Sequence, residues 1–447
     1  MGIIVQNKQM TIGDTVGLGF MTFAFFLGAG NLIFPPFAGN LAGDNMLPAM
    51  IGFLLTAVGM PLIGLIAVAK SNGKVMGLLP AAVATVLAVV IYLIIGPVFA
   101  APRTGLVAYE IGAKPFITHV DAVIQLGSLS LNLPQLIYTF GFFVITMLVS
   151  LYPGKLLDSV GKVLTPVLIF LLVGLAVSVF ILPGAEIGAP QGEYAQYPLS
   201  KGIMEGYNTM DTLASLIFGM LIIDILRKKG ITEPKLQTRY LVRAALIAAG
   251  GLAFVYLSLF YLGATAGDIA KGVDNGGELL TRYVTAEFGP VGVVLLASVV
   301  TLACLTTAVG LVSACSEYFN ELLPKISYRT WVVSLSLVCA VVANVGLSQL
   351  IQISIPVLVT IYPVAIALVL VTFLTSLFAR PALSHRVVLS VALVFGVIDG
   401  LKAAGVNMSA FDFLPLHAEG MAWVLPTVIT VVVCLLVKKG PQQPQSA

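Results

Sequence analysis

Apolar stretches long enough to cross a bilayer recur along this chain, separated by short polar or proline- and glycine-marked connections. A helix that crosses the hydrocarbon core needs about 20 mostly apolar residues. No soluble domain fits between these stretches, because the longest gaps, 111–134 and 264–289, have the size of loops, in which we expect short surface helices. The predicted spans are 12–38, 46–69, 79–110, 135–151, 160–182, 202–226, 240–263, 290–320, 328–345, 350–378, 385–404 and 421–438.

The composition supports a membrane location. Of the 447 residues, 59% are hydrophobic and only 10% are charged, too few charges to cover the surface of a soluble protein of this size. No phosphate-binding loop appears, which argues against an ATP-driven pump. His119, His385 and His417 fall in loops or at span ends and form no catalytic constellation. We therefore expect no enzyme, no organic cofactor, no nucleic acid and no obligate protein partner.

Lysine and arginine are distributed unevenly between the two sides of the predicted bundle. With the N-terminus placed in the cytoplasm, the inward loops carry 17 of the 23 basic residues and the outward loops carry five. Positive charge accumulates on the cytoplasmic side of membrane proteins. The run Arg227–Lys229 is the strongest single anchor. The bias predicts that both termini are cytoplasmic.

The first predicted span contains a segment that does not suit a continuous helix. Gly28–Asn31 lies in the middle of an apolar run that starts near Ile12, and Pro35 and Pro36 follow it. The glycines could instead serve only close helix packing. For the whole cluster we favour a broken helix, because a helix interrupted within the membrane suits an ion or substrate site of a transporter.

A second interruption is predicted in the sixth span, where the polar run Gly206–Ser215 surrounds Asp211. A carboxylate inside a span is costly and is a functional candidate by default. One interpretation is that Asp211 caps the start of a half-helix and binds nothing. The other is that it holds a cation, a proton or the ammonium group of a substrate.

The two interruptions are five spans apart, which indicates two five-span repeats of opposite orientation with the site between their broken helices. The repeats would comprise residues 12–182 and 202–378, and residues 385–438 would add two further spans. The sequence thus predicts an all-α polytopic membrane protein of 12 helices. It has a 5+5 inverted repeat with broken helices 1 and 6, and two extra C-terminal helices, in a single transmembrane domain.

The eighth span carries two adjacent hydroxyls, Thr306 and Thr307, three and four residues after Ala303. Such hydroxyls usually bond to a carbonyl in their own helix. Alternatively, hydroxyls and free carbonyls together supply the uncharged oxygens that a sodium ion needs.

Four further charges lie within or near spans. Arg103 and Glu110 are seven residues apart in the third span, which would place them on one helical face, with Arg103 free to pair with an acidic residue or a carbonyl. Asp399 and Lys402 have the spacing of a pair at i and i+3. Either Arg103 or Glu110 could serve gating, although structural pairing is favoured, and Asp399 and Lys402 are assigned no transport role.

Several motifs, spread over nearly the whole chain, resemble those of bacterial branched-chain amino acid carriers. The resemblance implies a secondary carrier for leucine, isoleucine and valine in a bacterial inner membrane, coupled to a cation that is generally sodium. The motifs are Gly19–Pro36, Tyr152–Asp158, Asn208–Leu213 and Gly346–Ser354.

That family is in turn similar to amino-acid transporters of the leucine-transporter fold, which unwind their first and sixth helices. The similarity implies that backbone N–H groups of Gly28, Ala29 and Gly30 meet the substrate carboxylate. It also implies a second sodium ion at Asn31 in some relatives, although the seventh span offers no matching asparagine. The positions that match the first sodium site are Ala24, Leu27, Ala303, Thr306 and Thr307.

An amino acid substrate also needs acceptors for its ammonium group and an apolar pocket for its side chain. We expect the acceptors on the sixth span at Asn208, Thr209 and Asp211. The apolar walls are predicted to be Phe25, Phe26, Leu213, Phe218 and Val98.

The leading hypothesis is therefore uptake of leucine, isoleucine and valine by sodium symport through alternating access. The alternative is proton symport, with Asp211 or Glu110 as the titrating group. A channel or an intramembrane enzyme is disfavoured.

Overall fold

The computed structural model describes residues 9–118, 122–126, 129–152, 162, 165–181 and 184–437. Within these ranges the chain is almost entirely helical, and apolar side chains fill the interior of one bundle. The first half contains α1 (Ile12–Phe26), α2 (Ala29–Ala42), α3 (Met46–Leu54), α4 (Met60–Lys70), α5 (Ala81–Leu93), α6 (Ala100–Val107), α7 (Leu133–Ser150) and α8 (Thr165–Ile181). The second half contains α9 (Pro198–Asn208), α10 (Asp211–Lys228), α11 (Pro234–Ala264), α12 (Gly276–Leu322), α13 (Tyr328–Val342), α14 (Leu347–Leu374), α15 (Pro381–Ala403) and α16 (Val424–Leu436).

Among the described residues, seven helical segments are long and apolar enough to cross a bilayer, and the bent pair α9 and α10 makes an eighth. The count is lower than the twelve predicted spans because breaks divide several spans and four apolar helices have fewer than 18 residues. Those four are α1, α8, α13 and α16. The seven long segments are Ala29–Lys70, Ala81–Phe116, Leu133–Ser150, Pro234–Ala264, Gly276–Leu322, Leu347–Leu374 and Pro381–Ala403.

The two long gaps between predicted spans differ from each other. The gap 111–134 contains a 3₁₀ turn and an antiparallel hairpin of β1 (Val123–Leu126) and β2 (Leu129–Asn132). Helices alone were expected there, but Leu129–Asn132 alternates apolar and polar residues, which favours a strand. The gap 264–289 does contain the expected helix, since α12 begins there and is interrupted at Gly289, whose φ is 58°.

Small residues allow α2 and α11 to approach closely. A Cβ added to Gly39 would lie 2.0 Å from the Phe260 carbonyl oxygen, and one added to Gly263 would lie 1.9 Å from the Pro36 carbonyl oxygen. Close backbone contact through glycine is a common way for membrane helices to pack. This packing holds the second half of the first span against the seventh span.

The third span is wound irregularly. π-helical turns at Ile94–Val98 and Ala108–Ala113 flank α6. The turn at Ala108–Ala113 lies partly between Arg103 and Glu110 and changes the angle per residue there. Glu110 forms an ion pair with Lys114 at 2.7 Å.

The predicted pair of Asp399 and Lys402 is wrong. The Lys402 Nζ donates to the carbonyl oxygens of His417, at 2.5 Å, and Ala418, at 3.2 Å. Asp399 accepts a hydrogen bond from the backbone N–H of Trp423 at 3.3 Å. The loop before α16 folds back over the end of α15, where its carbonyls accept from Lys402 and the Trp423 N–H donates to one oxygen of Asp399. Of the sequence features noted above, His119 and Pro153–Asp158 lie outside the described residues.

Candidate functional site

The first span is broken, as predicted, and the break is short. The helix α1 ends at Phe26, Leu27 leaves the helical conformation with ψ of 80°, and Gly28 is extended before α2 starts at Ala29. The backbone N–H of Gly28 donates to the Asn31 Oδ1 at 3.1 Å. The first N–H groups of a helix have no partner within it, so the start of α2 presents unpaired donors at this point.

The predicted position of the break is therefore confirmed, but the non-helical segment is shorter than predicted. Only Leu27 and Gly28 leave the helix, while Ala29, Gly30 and Asn31 form the first turn of α2. The two prolines that follow lie inside α2, which continues to Ala42.

The sixth span is broken at Thr209 and Met210, and the two halves are bent by 41°. Met210 adopts a left-handed conformation with φ of 64°. This conformation costs about 1–2 kcal/mol for a residue other than glycine. The Thr209 hydroxyl donates to the Gly206 carbonyl oxygen at 2.8 Å. Asp211 is the first residue of α10.

A buried polar group connects the two breaks. The Asn31 Nδ2 donates to the Asp211 Oδ2 at 2.7 Å, and the Tyr256 hydroxyl donates to the same oxygen at 2.8 Å. Asn31 and Tyr256 also contact each other. Asp211 is 1% exposed. Because burying a carboxylate without partners is very costly, these two donors stabilise Asp211 between the first, sixth and seventh spans.

Asn31 has little capacity left for a metal ion. Its amide oxygen accepts from Gly28, and its amide nitrogen donates to Asp211 and contacts Tyr256. An ion can be bound only by the oxygen of an asparagine side chain. The hydrogen bond from Gly28 uses one of the two lone pairs of this oxygen, so a second sodium ion at Asn31 would have one acceptor position left to it.

Oxygen atoms of the first and eighth spans converge at the end of α1. The Ala24 carbonyl oxygen accepts from the Thr306 hydroxyl at 3.1 Å and from the Thr307 hydroxyl at 3.0 Å. The Thr306 hydroxyl also lies 3.0 Å from the Ala303 carbonyl oxygen. Leu27 caps the same helix three residues after Ala24, and the last carbonyls of a helix lack helical partners. Uncharged oxygens of this kind suit a hard cation.

Gly28 allows this convergence. A Cβ at this position would lie 2.9 Å from the Thr307 Cγ2 and 3.0 Å from its hydroxyl oxygen. The break therefore packs directly against the threonine pair, and any side chain at residue 28 would displace Thr307.

A cavity of about 20 Å³ lies between the two breaks and has space for about one water molecule. Its wall includes many of the predicted site residues together with some that were not predicted. The lining residues are Phe25, Phe26, Gly28, Ala29, Gly30, Asn31, Ile95, Ala100, Arg103, Thr104, Thr209, Met210, Asp211, Ala214, Phe218, Thr307 and Leu311.

Three predicted contacts of the substrate do not line this cavity. Asp211, Ala214 and Phe218 lie on one face of α10 at spacings of three and four residues, which turns Leu213 away from that face. Val98 is 39% exposed on the outside of the bundle. Asn208 contributes its carbonyl oxygen to Arg103 at 2.8 Å.

Sequence reasoning missed two residues of this site. Arg103 carried a signal, since it is a charge within a span, but it was given no substrate role. Its guanidinium lies beside Gly30, where an added Cβ would be 2.9 Å from the Arg103 Nη2. Tyr256 carried no signal, because a tyrosine in an apolar helix resembles any buried aromatic residue.

Two broken spans with polar groups and an oxygen cluster between them define a class of membrane transporter, that of the leucine-transporter fold. Three solved structures share this fold. A nucleobase-cation-symport-1 family transporter with bromovinylhydantoin bound has a TM-score of 0.59 and 13% identity, and the match covers 94% of this chain and 91% of the other. MhsT in complex with L-phenylalanine has a TM-score of 0.57 and 16% identity, with 94% and 98% covered. A Na+-coupled sialic acid symporter has a TM-score of 0.58 and 13% identity, with 95% and 90% covered.

Residues 11–440 match the family described as branched-chain amino acid transport protein, and the chain belongs to that family. It is a multi-pass membrane transporter of a bacterial permease family and not an enzyme. The chain is 45% identical to the branched-chain amino acid transport system 2 carrier protein of Pseudomonas aeruginosa, over 97% of this chain and 98% of the relative. It is 43% identical to the branched-chain amino acid permease BrnQ of Escherichia coli, over 96% of this chain and 97% of the relative. It is 40% identical to the branched-chain amino acid permease BraB of Bacillus subtilis, over 96% of each chain.

Proposed function

We propose that this protein takes up leucine, isoleucine and valine by sodium symport through alternating access. The observation that carries the sodium proposal is the convergence of the Thr306 and Thr307 hydroxyls on the Ala24 carbonyl oxygen, at 3.1 and 3.0 Å. Two side chains of one span meet a free carbonyl at the broken end of another. With the Ala303 carbonyl, and that of Leu27 at the break, this set provides the uncharged oxygens that a sodium ion requires.

The substrate class is supported by the family and by the cavity walls. The relatives are named as branched-chain amino acid carriers and permeases. Aromatic and aliphatic side chains from four spans surround the cavity beside the polar groups at the two breaks. An apolar pocket distinguishes side chains that differ by one methylene by only about 1–3 kcal/mol. Transport of all three branched-chain amino acids by one site is the expected result.

In this proposal the substrate lies between the two breaks. Its carboxylate meets the N–H groups at the start of α2, at Ala29 and Gly30, where the helix dipole favours negative charge. The N–H of Gly28, expected in this role, already donates to the Asn31 Oδ1. Its ammonium group meets oxygens of the sixth-span break at Thr209 and Asp211. Its aliphatic side chain packs against the aromatic rings of the cavity, which include Phe26.

The coupling ion acts at the junction of two spans. An ion held by Ala24 and the threonine pair ties the first span to the eighth span. Binding there stabilises the conformation in which the two spans are in contact, because a ligand shifts a conformational equilibrium by its difference in affinity. The inward sodium gradient then drives the cycle of alternating access.

The twelve-span topology with both termini in the cytoplasm is part of the proposal. It is supported by Asp14 at the start of α1, which forms ion pairs with Lys162 at 2.8 Å and Lys229 at 3.5 Å. These three residues come from segments that the charge distribution assigns to the cytoplasmic side. The breaks in the first and sixth spans support repeats over residues 12–182 and 202–378, with 385–438 outside them.

Proton symport is the second candidate, and the burial of Asp211 favours it. This carboxylate is 1% exposed and is bonded by Asn31 and Tyr256 without a basic partner within ion-pair distance in the described chain. Glu110 is a poor titrating group for coupling, because it is paired with Lys114 near the end of its span.

The two candidates are separated by uptake of labelled leucine into proteoliposomes at fixed pH and membrane potential, with and without a sodium gradient. Sodium symport predicts saturable, sodium-dependent uptake by the wild type, and loss of the sodium dependence in Thr306→Ala. A wild type that ignores sodium but responds to a pH gradient, with the response lost in Asp211→Ala, establishes the proton mechanism instead.

A further inference from the structure

Arg103 is a buried cation that lacks most of its hydrogen-bond partners. Its side chain is 3% exposed. The Nη2 donates to the Asn208 carbonyl oxygen at 2.8 Å, while the Nε and Nη1 are buried without a partner. The guanidinium also stacks over the Phe34 ring at 5.3 Å. A guanidinium has five N–H donors in a planar fork, and most of that capacity is unused here.

Such an arrangement is expensive in a folded protein. Leaving a buried charge unpaired costs several kcal/mol, and the stacking on Phe34 and one hydrogen bond offset only part of that. Asp211, the other buried charge of this cavity, is bonded instead by Asn31 and Tyr256. Unpaired donors in a cavity wall commonly mark the place of a ligand that supplies the acceptors.

The position of Arg103 indicates which ligand group fits. Arg103 lines the cavity beside the first turn of α2, since a Cβ on Gly30 would lie 2.9 Å from its Nη2. The unpaired guanidinium and the unpaired N–H groups of that turn are therefore neighbours, and both attract anions. A carboxylate accepts two parallel hydrogen bonds from an arginine.

We propose that Arg103 binds the carboxylate of the amino acid substrate through the second hydrogen of its Nη2 and one of its two unpartnered donors, Nε or Nη1, together with the N–H groups at the start of α2. Its Nη2 remains on the Asn208 carbonyl, so the same side chain joins the substrate to the end of α9. The cavity then matches a zwitterion, with the guanidinium at one end and Asp211 at the other. This assignment rests on the proposed function, since it identifies the anion-binding group of that same site.

The experiment measures thermostabilisation of the purified protein in saturating sodium by L-leucine and by L-leucine amide, which replaces the carboxylate with a neutral amide. Three proteins are compared: the wild type, Arg103→Met and Arg103→Lys. Arg282→Gln serves as the matched control, because it removes an arginine that forms an ion pair with Glu278 away from the cavity.

We expect the wild type and Arg282→Gln to bind leucine about 10- to 100-fold more tightly than leucine amide. This ratio corresponds to the free energy that hydrogen bonds to a charged group contribute. In Arg103→Met this preference should fall about tenfold but stay above one, because the N–H groups at the start of α2 still favour a carboxylate, and Arg103→Lys should lie between. A merely structural role would weaken both ligands equally and leave the preference unchanged, which would overturn the assignment.

The experiment also decides the question if a variant does not fold or if the wild type binds neither ligand. If Arg103→Met does not fold, the wild type and Arg103→Lys decide the question. Equal affinity of the wild type for leucine and the amide, or an unaltered preference in Arg103→Lys, overturns the assignment. A wild type that is stabilised by neither ligand contradicts the proposed substrate class itself.

Discussion

The Asn31 Nδ2 lies 2.7 Å from the Asp211 Oδ2, and this hydrogen bond joins the first turn of α2 to the first residue of α10. Each of these helices begins at a break in its span. The second donor to the same oxygen, Tyr256, comes from the long unbroken helix of the seventh span. The two breaks are therefore held at one place by three side chains.

Removing the Tyr256 hydroxyl should weaken this connection. In Tyr256→Phe the Asp211 carboxylate loses one of its two donors, so we expect a loss of about 1–3 kcal/mol in stability and reduced leucine uptake. Tyr207→Phe is the matched control, because the Tyr207 hydroxyl is similarly buried but donates to no carboxylate among the described residues. Melting temperature in detergent measures the difference, and equal effects of the two substitutions would contradict the role of Tyr256.

Sodium-dependent uptake is expected to depend on the hydroxyl oxygen of Thr307 more than on the volume of its side chain. Thr307→Ser keeps the oxygen and should retain sodium-dependent uptake, whereas Thr307→Val keeps the volume and should raise the sodium concentration for half-maximal uptake about tenfold or more. Thr372→Val is the control, since that buried hydroxyl bonds only to the Leu368 carbonyl in its own helix. Unchanged sodium dependence in Thr307→Val would argue against an ion at this position.

A single methyl group at Gly28 should disturb the oxygen cluster. In Gly28→Ala the new Cβ would approach Thr307 to 2.9 Å, so Thr307 must move away from Ala24. We expect weaker sodium dependence with normal expression. Gly141→Ala provides the comparison, because nothing lies within 4 Å of its added Cβ. If the two variants transport alike across a sodium titration, the packing of the break on Thr307 is unimportant for the ion.

Adding a side-chain atom between α2 and α11 should lower the stability of the protein. Gly39→Ala would place a Cβ 2.0 Å from the Phe260 carbonyl oxygen, a backbone atom that cannot rotate away. Overpacking typically costs about 1–3 kcal/mol, so we expect a lower melting temperature. Gly250→Ala, on α11 with open space around it, should be neutral or slightly stabilising. If Gly250→Ala lowered the melting temperature as much as Gly39→Ala, the close contact with the Phe260 carbonyl oxygen would not be the cause of the loss.

Local sequence was sufficient to locate both breaks, because glycines, an asparagine and a buried aspartate are costly in the middle of an apolar helix. It was not sufficient to set their lengths. Pro35 and Pro36 indicated a longer interruption, yet α2 continues through both of them. The contacts with Gly263 on α11 show that tertiary packing holds this segment in place, and packing between distant spans leaves no local signal.

Residue spacing did not show which side chains of the broken or irregular spans face the cavity. Arg103 and Glu110 were expected on one face, but the turn at Ala108–Ala113 is π-helical and changes the angle per residue. Leu213 was expected in the cavity, but the start of α10 at Asp211 directs Ala214 and Phe218 there instead. One irregular turn is enough to move a side chain from a site to the core.

The small size of the cavity has a consequence for how substrate affinity is determined. The cavity has space for about one water molecule, so this narrow arrangement must widen before an amino acid can enter. The apparent dissociation constant is then the intrinsic one divided by the fraction of molecules in which the cavity is widened. Substitutions that loosen this packing, even far from the substrate, should tighten apparent binding of leucine, isoleucine and valine by the same factor.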